Sequence, residues 1–295
     1  MRIGINLRRP EPHYRDTILG LLEAMHRHGL EPVMGSRANS WLKKQGGPND
    51  LEQFANDDAA RSLDMLFSLG GDGTFLRSVG MVAGSKVPVL GINLGRLGFL
   101  ADVQSDKIEE ALAHIANGRY ELEQRTLLRL EGCDTEFGSD TLALNDVSVH
   151  KRDRSSMIAI HTFVDERFLN TYWADGLIIA TPTGSTAYSL SCGGPILDPS
   201  CGSLVITPIA PHNLNVRPFV VPDECTIRLV VDARSEKYLM NLDARGATLL
   251  GQRDILVRKA AFTASVVHLP DHDPFTTLRN KLNWGLDARS TEPPQ

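Results

Sequence analysis

The segment Gly70-Gly71-Asp72-Gly73-Thr74 limits what this chain can fold into more than any other, because of what flanks it. Before it, Met65-Leu66-Phe67-Ser68-Leu69 is a short apolar run that reads as a buried strand. After it, Phe75-Leu76-Arg77-Ser78-Val79 begins a helical pattern. A strand that enters a glycine turn and leaves as a helix gathers free backbone N–H groups and the positive end of the helix dipole at one point. That is a phosphate site. Glycine lets the backbone approach a bulky anion with no Cβ in the way. The Asp72 carboxylate is unfavourable beside a phosphate unless it binds Mg²⁺ or takes a proton from an attacking hydroxyl. An isolated Asp-Gly pair would be an ordinary turn, and the strand–helix context shifts the reading to phosphate chemistry.

Around this segment the first 125 residues alternate strand and helix. Ile3–Leu7 and Val87–Asn93 read as strands, Asp16–His28 as a helix closed by Gly29, and Ser105 as the cap of a helix that ends at Gly118. Such alternation predicts an α/β domain with a mostly parallel sheet, whose ligands bind at the carboxyl ends of the strands. Residues 126–272 change rhythm to short strands and turns, among them Ile158–Val164, Leu177–Ala180, Leu204–Pro208 and Leu256–His268. This predicts an all-β, sandwich-like second domain. Asp165-Glu166 reads as a hairpin turn. Asp273-Pro274 opens a last helix, 273–285, expected to pack back on the first domain, and Ser290–Gln295 reads as a disordered tail.

Composition removes several function classes. With 42% hydrophobic and 23% charged residues the chain is globular, and its net charge of -5 argues against a nucleic-acid surface. No apolar run approaches the roughly 20 residues that span a bilayer, and the N-terminus reads as a strand rather than a signal peptide. Cys133, Cys192, Cys201 and Cys225 are scattered without zinc spacing, as expected of reduced cytoplasmic thiols. His268 and His272 stand four apart in a non-helical stretch and read as structural or surface residues.

A second constellation begins where Asp175-Gly176-Leu177-Ile178-Ile179-Ala180 runs into Thr181-Pro182-Thr183-Gly184-Ser185-Thr186-Ala187-Tyr188-Ser189-Leu190-Ser191. Seven of those last eleven residues carry a hydroxyl. Hydroxyls suit a ribose and an adenine edge, and equally suit a loop that caps its own backbone; composition leaves both readings open. The third feature, Asn145-Asp146, interrupts the apolar run Leu142–Val149 and reads as an exposed face, a bulge or a ligand contact.

Together these motifs, with Gly193-Gly194-Pro195 and Arg217-Pro218, follow the order of the ATP-NAD kinase family, and the resemblance runs from about Met1 to Asn283. Gly-Gly-Asp-Gly is shared with diacylglycerol kinases and phosphofructokinases, whereas the run Thr181–Ser191 is far more specific. The compact length resembles the bacterial-type members.

The resemblance implies an α/β domain plus a β-sandwich domain. It also implies transfer of the γ-phosphoryl of ATP to the 2′-hydroxyl of the adenosine ribose of NAD, with Mg²⁺ or Mn²⁺ accompanying ATP. It makes Asp72 the general base and puts Gly70, Gly71, Gly73 and Thr74 at the ATP phosphates. It assigns NAD contacts to Asp72, Gly73, Arg77, Asn145, Asp146 and Asp175. Further NAD contacts fall on the loop Thr186, Ala187, Tyr188, Ser189, Leu190 and Ser191. Ala210 is implied to reach the ligand across a subunit interface of a homodimer or homotetramer. No protein-only metal site, nucleic acid or membrane partner is implied.

Three positions depart from the family pattern. Asp146 stands where Glu is commoner, Trp173 where many members have a basic residue, and Asp243-Ala244-Arg245 replaces Asp-Gly-Gln. Arg245 is thereby a candidate to supply the charge that Trp173 lacks, and an NAD contact. A lipid kinase would need an apolar or basic membrane face that the chain does not show. A non-catalytic dinucleotide sensor would have no use for Asp72.

Overall fold

The computed structural model describes residues 1–283 apart from 9, 96–97, 102, 154–156, 235 and 271; the expected tail Ser290–Gln295 lies outside the described residues. The chain divides into two compact units, Met1–Glu123 with Ser265–Gln295, and Gln124–Ala264.

The first unit is built on an eight-stranded sheet. Its strands lie in the order Glu52–Phe54, Glu31–Gly35, Arg2–Leu7, Met65–Leu69, Val89–Asn93, Ala264–His268, Glu121–Arg125, with Val103–Gln104 also paired to Val89–Asn93. The pairings from Glu52–Phe54 through to Ala264–His268 are parallel. Strand Met65–Leu69 is buried at every position, as a parallel strand covered on both faces requires. Ile3, Ile5 and Leu7 pack with Ile18, Leu22 and Met25 of the helix Arg15–Arg27 into the core. The strand order reverses between Arg2–Leu7 and Met65–Leu69, and such a switch point leaves a crevice at the carboxyl ends of the strands. Gly70 sits at that end. The helix expected to be capped by Ser105 instead starts with a tight turn, Ser105–Lys107, and becomes α-helical over Ile108–Ala116.

The second unit holds two six-stranded antiparallel sheets. One runs Phe219–Pro222, Ser203–Ile209, Gly176–Ala180, Asp146–Lys151, Lys237–Leu242, Arg245–Leu250; the other runs Arg167–Ala174, Ile158–Val164, Ile227–Asp232, Asp254–Lys259, Leu128–Glu131, Leu142–Ala143. Val147, Val149, Leu177, Ile179, Leu204 and Ile206 from the first sheet share one core with Ile158, Ile160, Leu229 and Val257 from the second. Ile178, Ala180 and Val205, on the opposite face, pack under Cys192 and Leu197, so Gly176–Ala180 is buried on both sides. Asp165 and Glu166 both take positive φ (47° and 61°), the conformation of a two-residue hairpin that matches strand twist.

The run Leu256–His268, expected as one strand, is two: Asp254–Lys259 belongs to the second unit and Ala264–His268 to the parallel sheet. No Gly, Pro, Asn or Asp marks the break, so the run reads as one strand. Among the described residues no helix is long and apolar enough to cross a membrane, and the four cysteines are free thiols.

Candidate active site

In the first unit the chain leaves Met65–Leu69 at Gly70, whose φ of +133° is open to glycine and strained for other residues. Gly71 is the N-cap of the helix Asp72–Val82. The N–H groups at the start of a helix have no partner within it, so this turn presents donors at the switch point of the sheet. Thr74 donates its N–H to the Gly71 carbonyl (2.9 Å), closing the first turn. A Cβ at Gly71 or Gly73 would meet nothing within 4 Å, so this side of the turn is open.

Asp72 is tethered. Its two carboxylate oxygens accept the backbone N–H of Phe99 and Leu100, both at 3.0 Å. A Cβ at Gly98 would overlap the Asp72 carboxylate, so glycine there permits the approach. Five residues on, Arg77 is exposed and paired with Asp57 (3.2 Å). Asn93 ends its strand in a side-chain turn that accepts the Gly95 N–H (2.7 Å).

In the second unit Asn145-Asp146 is neither an exposed face nor a bulge inside one strand. The chain leaves one sheet at Ala143 and joins the other at Asp146, so Leu144 and Asn145 cross between sheets. Backbone groups in such a crossing lose their ladder partners and need others. The Asp243 carboxylate accepts three consecutive N–H groups, from Leu144 (2.9 Å), Asn145 (2.7 Å) and Asp146 (3.2 Å). Asp243 N–H donates to the Asp146 carbonyl (2.9 Å). On the other side Thr181 donates its hydroxyl to the Leu144 carbonyl (2.6 Å) and its N–H to the Asn145 carbonyl (2.9 Å). Gly184 lies so close to the Asn145 backbone that a Cβ would overlap it. Within this clamp the amide oxygen of Asn145 is buried with no hydrogen-bond partner, the residue being 9% exposed. A ligand donor is the obvious complement.

Burial, and then the neighbouring Asp243 charge, push the Asp146 carboxyl up to about 7. Burial also raises Asp243, while the three N–H donors hold it back.

Most of the loop hydroxyls serve the loop itself. Ser185 donates to the Pro182 carbonyl (2.6 Å), Thr186 to the Thr183 carbonyl (3.3 Å), and Ser189 shares a buried bond with Thr207 (2.8 Å). Tyr188, 39% exposed, stacks on His150 with ring centroids 5.5 Å apart. Ala187 has an irregular backbone leading into the single helical turn Tyr188–Ser191, which carries Leu190. Asp175 pairs with Lys151 (2.6 Å) and donates its N–H to the Ile209 carbonyl (3.0 Å). Ala210 follows with a positive φ of 44°.

Arg245 is tied to the Asp140 carboxylate and to the carbonyls of Asp140 and Leu142, so its charge already has a counter-ion. Trp173 is exposed, and its carbonyl accepts the His212 N–H (2.9 Å). Among the described residues no group of three or more His, Cys, Asp or Glu side chains is arranged to hold a metal ion. Sequence reasoning passed over Asp243, Thr181 and Gly184 as site-builders. Asp243 was visible only as the first residue of an altered three-residue motif.

Comparisons with known proteins agree along the chain. The family model described as the ATP-NAD kinase N-terminal domain matches residues 22–120, and that of the ATP-NAD kinase C-terminal domain matches residues 144–269. The NAD kinase of Flavobacterium psychrophilum is 48% identical over 277 residues, covering 92% of this chain and 94% of its own. That of Christiangramia forsetii is 40% identical over 297 residues, covering 98% and 100%. Among solved structures, yeast NADH kinase complexed with NADH has a TM-score of 0.87 at 25% identity, covering 99% of this chain and 90% of that one. An NAD kinase from Archaeoglobus fulgidus in complex with ATP has a TM-score of 0.75 at 25% identity, covering 96% and 99%.

Proposed function

The chain belongs to the ATP-NAD kinase family, and from that premise we propose which of its groups carry the reaction. The reaction is transfer of the γ-phosphoryl of ATP to the 2′-hydroxyl of the adenosine ribose of NAD, giving NADP. Phosphoryl transfer asks mainly for positioning and charge neutralisation, and for a group that orients and deprotonates the attacking hydroxyl.

The turn Gly70–Thr74 receives the ATP phosphates: Gly70, Gly71, Gly73 and Thr74 supply backbone at the start of a helix. Asp72 takes the proton from the ribose hydroxyl. Its carboxylate is held by the N–H groups of Phe99 and Leu100, which fix its direction before substrate arrives. A divalent cation, Mg²⁺ or Mn²⁺, accompanies ATP and neutralises phosphate charge. Magnesium is commonly held by one or two carboxylates plus substrate phosphates, and Asp72 fits that demand.

Asn145 and Asp146 hold the adenosine side of NAD. The observation that carries this reading is the buried, partnerless amide oxygen of Asn145 inside a doubly clamped backbone. Asp175, Thr186, Ala187, Tyr188, Ser189, Leu190 and Ser191 line the remainder of the dinucleotide, with Gly73, Arg77 and Arg245 contributing at its margins. For Ser189 that contribution is indirect, since its hydroxyl is spent on Thr207. Arg245, already paired with Asp140, acts more as a support than as a free charge.

The enzyme works in the cytoplasm as a homodimer or homotetramer, with Ala210 presented to a neighbouring subunit. Free cysteines support the first statement, and the exposed apolar Leu214, Phe219 and Val220, which follow Ala210 in sequence, support the second. The test is a coupled assay for ATP-dependent NADP formation from NAD, with sedimentation at micromolar protein. No NADP under any metal condition overturns the catalytic assignments, and a fully active monomer removes Ala210 from the site.

A further inference from the structure

The turn Asp243-Ala244-Arg245 grips the segment 140–146 along its length. Arg245 bonds the carbonyls of Asp140 and Leu142, and Asp243 bonds the N–H groups of Leu144, Asn145 and Asp146. The two partners of Asp243 nearest the ligand chemistry lie 98 and 97 residues away in sequence. Both carboxylate oxygens are used, and Asp243 sits at a φ of 50°, a conformation Asp and Asn tolerate better than most residues.

We propose that Asp243 is a positioning residue for the dinucleotide: it acts through the backbone of Leu144–Asp146 and aims the Asn145 and Asp146 side chains at NAD. The inference rests on the assignment of those two side chains to NAD. A crossing segment has no ladder to fix its register, so the register is whatever its side-chain acceptors impose. Asp243 supplies three bonds from one side, and Thr181 with Gly184 closes the other. Removing a charged acceptor from three buried donors leaves them unsatisfied and frees the segment to shift. Small shifts of a substrate-holding group are expensive, since a misplacement of about 1 Å can cost on the order of 100-fold in rate.

Asp243 also influences the charge of Asp146. The charged or titratable groups that act on this pair are Tyr188 and Cys192 beside Asp146, and Arg245 beside Asp243. Replacing Asp243 by a neutral isostere therefore moves the titration of Asp146 toward acid, leaving burial as the remaining cause of its elevation.

The experiment compares Asp243→Asn with the wild type by steady-state kinetics across pH 5.5–9. Asn keeps the size and the backbone conformation but cannot accept three N–H bonds. Expected are a fall in kcat/KM for NAD of about 10–100-fold, a KM for ATP unchanged within about twofold, and an acid shift of the inflection near pH 7. An unchanged kcat/KM for NAD, an equal loss toward both substrates, or an unmoved inflection overturns the proposal. Should Asp243→Asn not fold, Thr181→Val carries the test from the other side of the clamp. It must show the same selective loss toward NAD at smaller amplitude, and an unchanged kcat/KM for NAD there overturns the proposal. Asn145→Ala separates the two levels. If it leaves NAD kinetics unaltered, the assignment of the pair to NAD fails, whereas an impaired Asn145→Ala beside a normal Asp243→Asn defeats the positioning role alone.

Discussion

The glycine turn at Gly70–Thr74 and the crossing at Leu144–Asp146 both put polar groups at the end of an apolar strand, and they are built in opposite ways. The turn is local. Three glycines and the first turn of the helix Asp72–Val82 create its donors within five residues, and its distant ties include the Gly70 N–H to the Ile92 carbonyl and Asp72 to the N–H groups of Phe99 and Leu100. The crossing owes almost nothing to its own residues. Its backbone is satisfied by Asp243 from one side and by Thr181 from the other. The first is thus shaped mainly by its own glycines and carboxylate, and the second by residues remote from it in sequence.

The sharpest way to break the comparison is at Asp72. Asp72→Asn retains the turn, because Asn tolerates the same backbone angles, and is expected to leave a folded protein that binds NAD with turnover reduced about 10²–10⁴-fold. Single-turnover kinetics with Mg²⁺ present check this, and near-normal turnover would make Asp72 a turn residue.

Next in size is Asp146→Asn. The folded carboxyl titrates at about 7, against a usual value of 3.8. A carboxyl raised on folding is protonated in both states below about pH 4, so it then costs nothing. The cost grows as pH rises from 4 to 7 and is fully present above 7. Replacing it by a neutral amide should therefore stabilise the free protein at pH 8 by an amount on the order of 2–4 kcal/mol, and by less at pH 5. Urea unfolding at the two values decides; an equal change at both denies Asp146 its titration.

Gly184→Ala sharpens the long-range side, since the new Cβ overlaps the Asn145 backbone. Overpacking of this kind costs about 1–3 kcal/mol, and the NAD affinity should fall with it. Calorimetric titration with NAD, alongside thermal unfolding, reads both; a variant that binds NAD normally would show the contact to be idle.

The smallest effect is expected at Arg77→Ala. The pair with Asp57 is exposed on both sides, so stability should change by less than about 1 kcal/mol, while KM for NAD rises with kcat retained. A stability loss without a kinetic one would assign Arg77 to the helix rather than the ligand.

The same contrast explains what the sequence disclosed. The strand–glycine–helix unit was legible because all its determinants are adjacent: an apolar run, Gly70, and a helical pattern after Asp72. The hairpin at Asp165-Glu166 was legible for the same reason. The split of Leu256–His268 was not, since no turn residue separates the two strands and nothing local says which sheet receives each. The Ser/Thr loop was ambiguous because a hydroxyl bonds backbone and ligand alike; Ser185, Thr186 and Ser189 turned inward. Asp243 could not be found from its neighbours, because its function lies in three N–H groups about a hundred residues away.

The strand order of the parallel sheet has a consequence for synthesis. Ala264–His268 lies between Val89–Asn93 and Glu121–Arg125, so a strand made late separates two made early. While a ribosome adding about 5–20 residues per second translates residues 124–264, those early strands lack their central neighbour for roughly seven to thirty seconds. Unpaired strand edges are where chains find wrong partners. The second unit, whose strands all come from one unbroken stretch, can close on itself during that wait. The unit that begins first is therefore the one that finishes last, and the newborn chain is most open to misassembly while the parallel sheet is still one strand short.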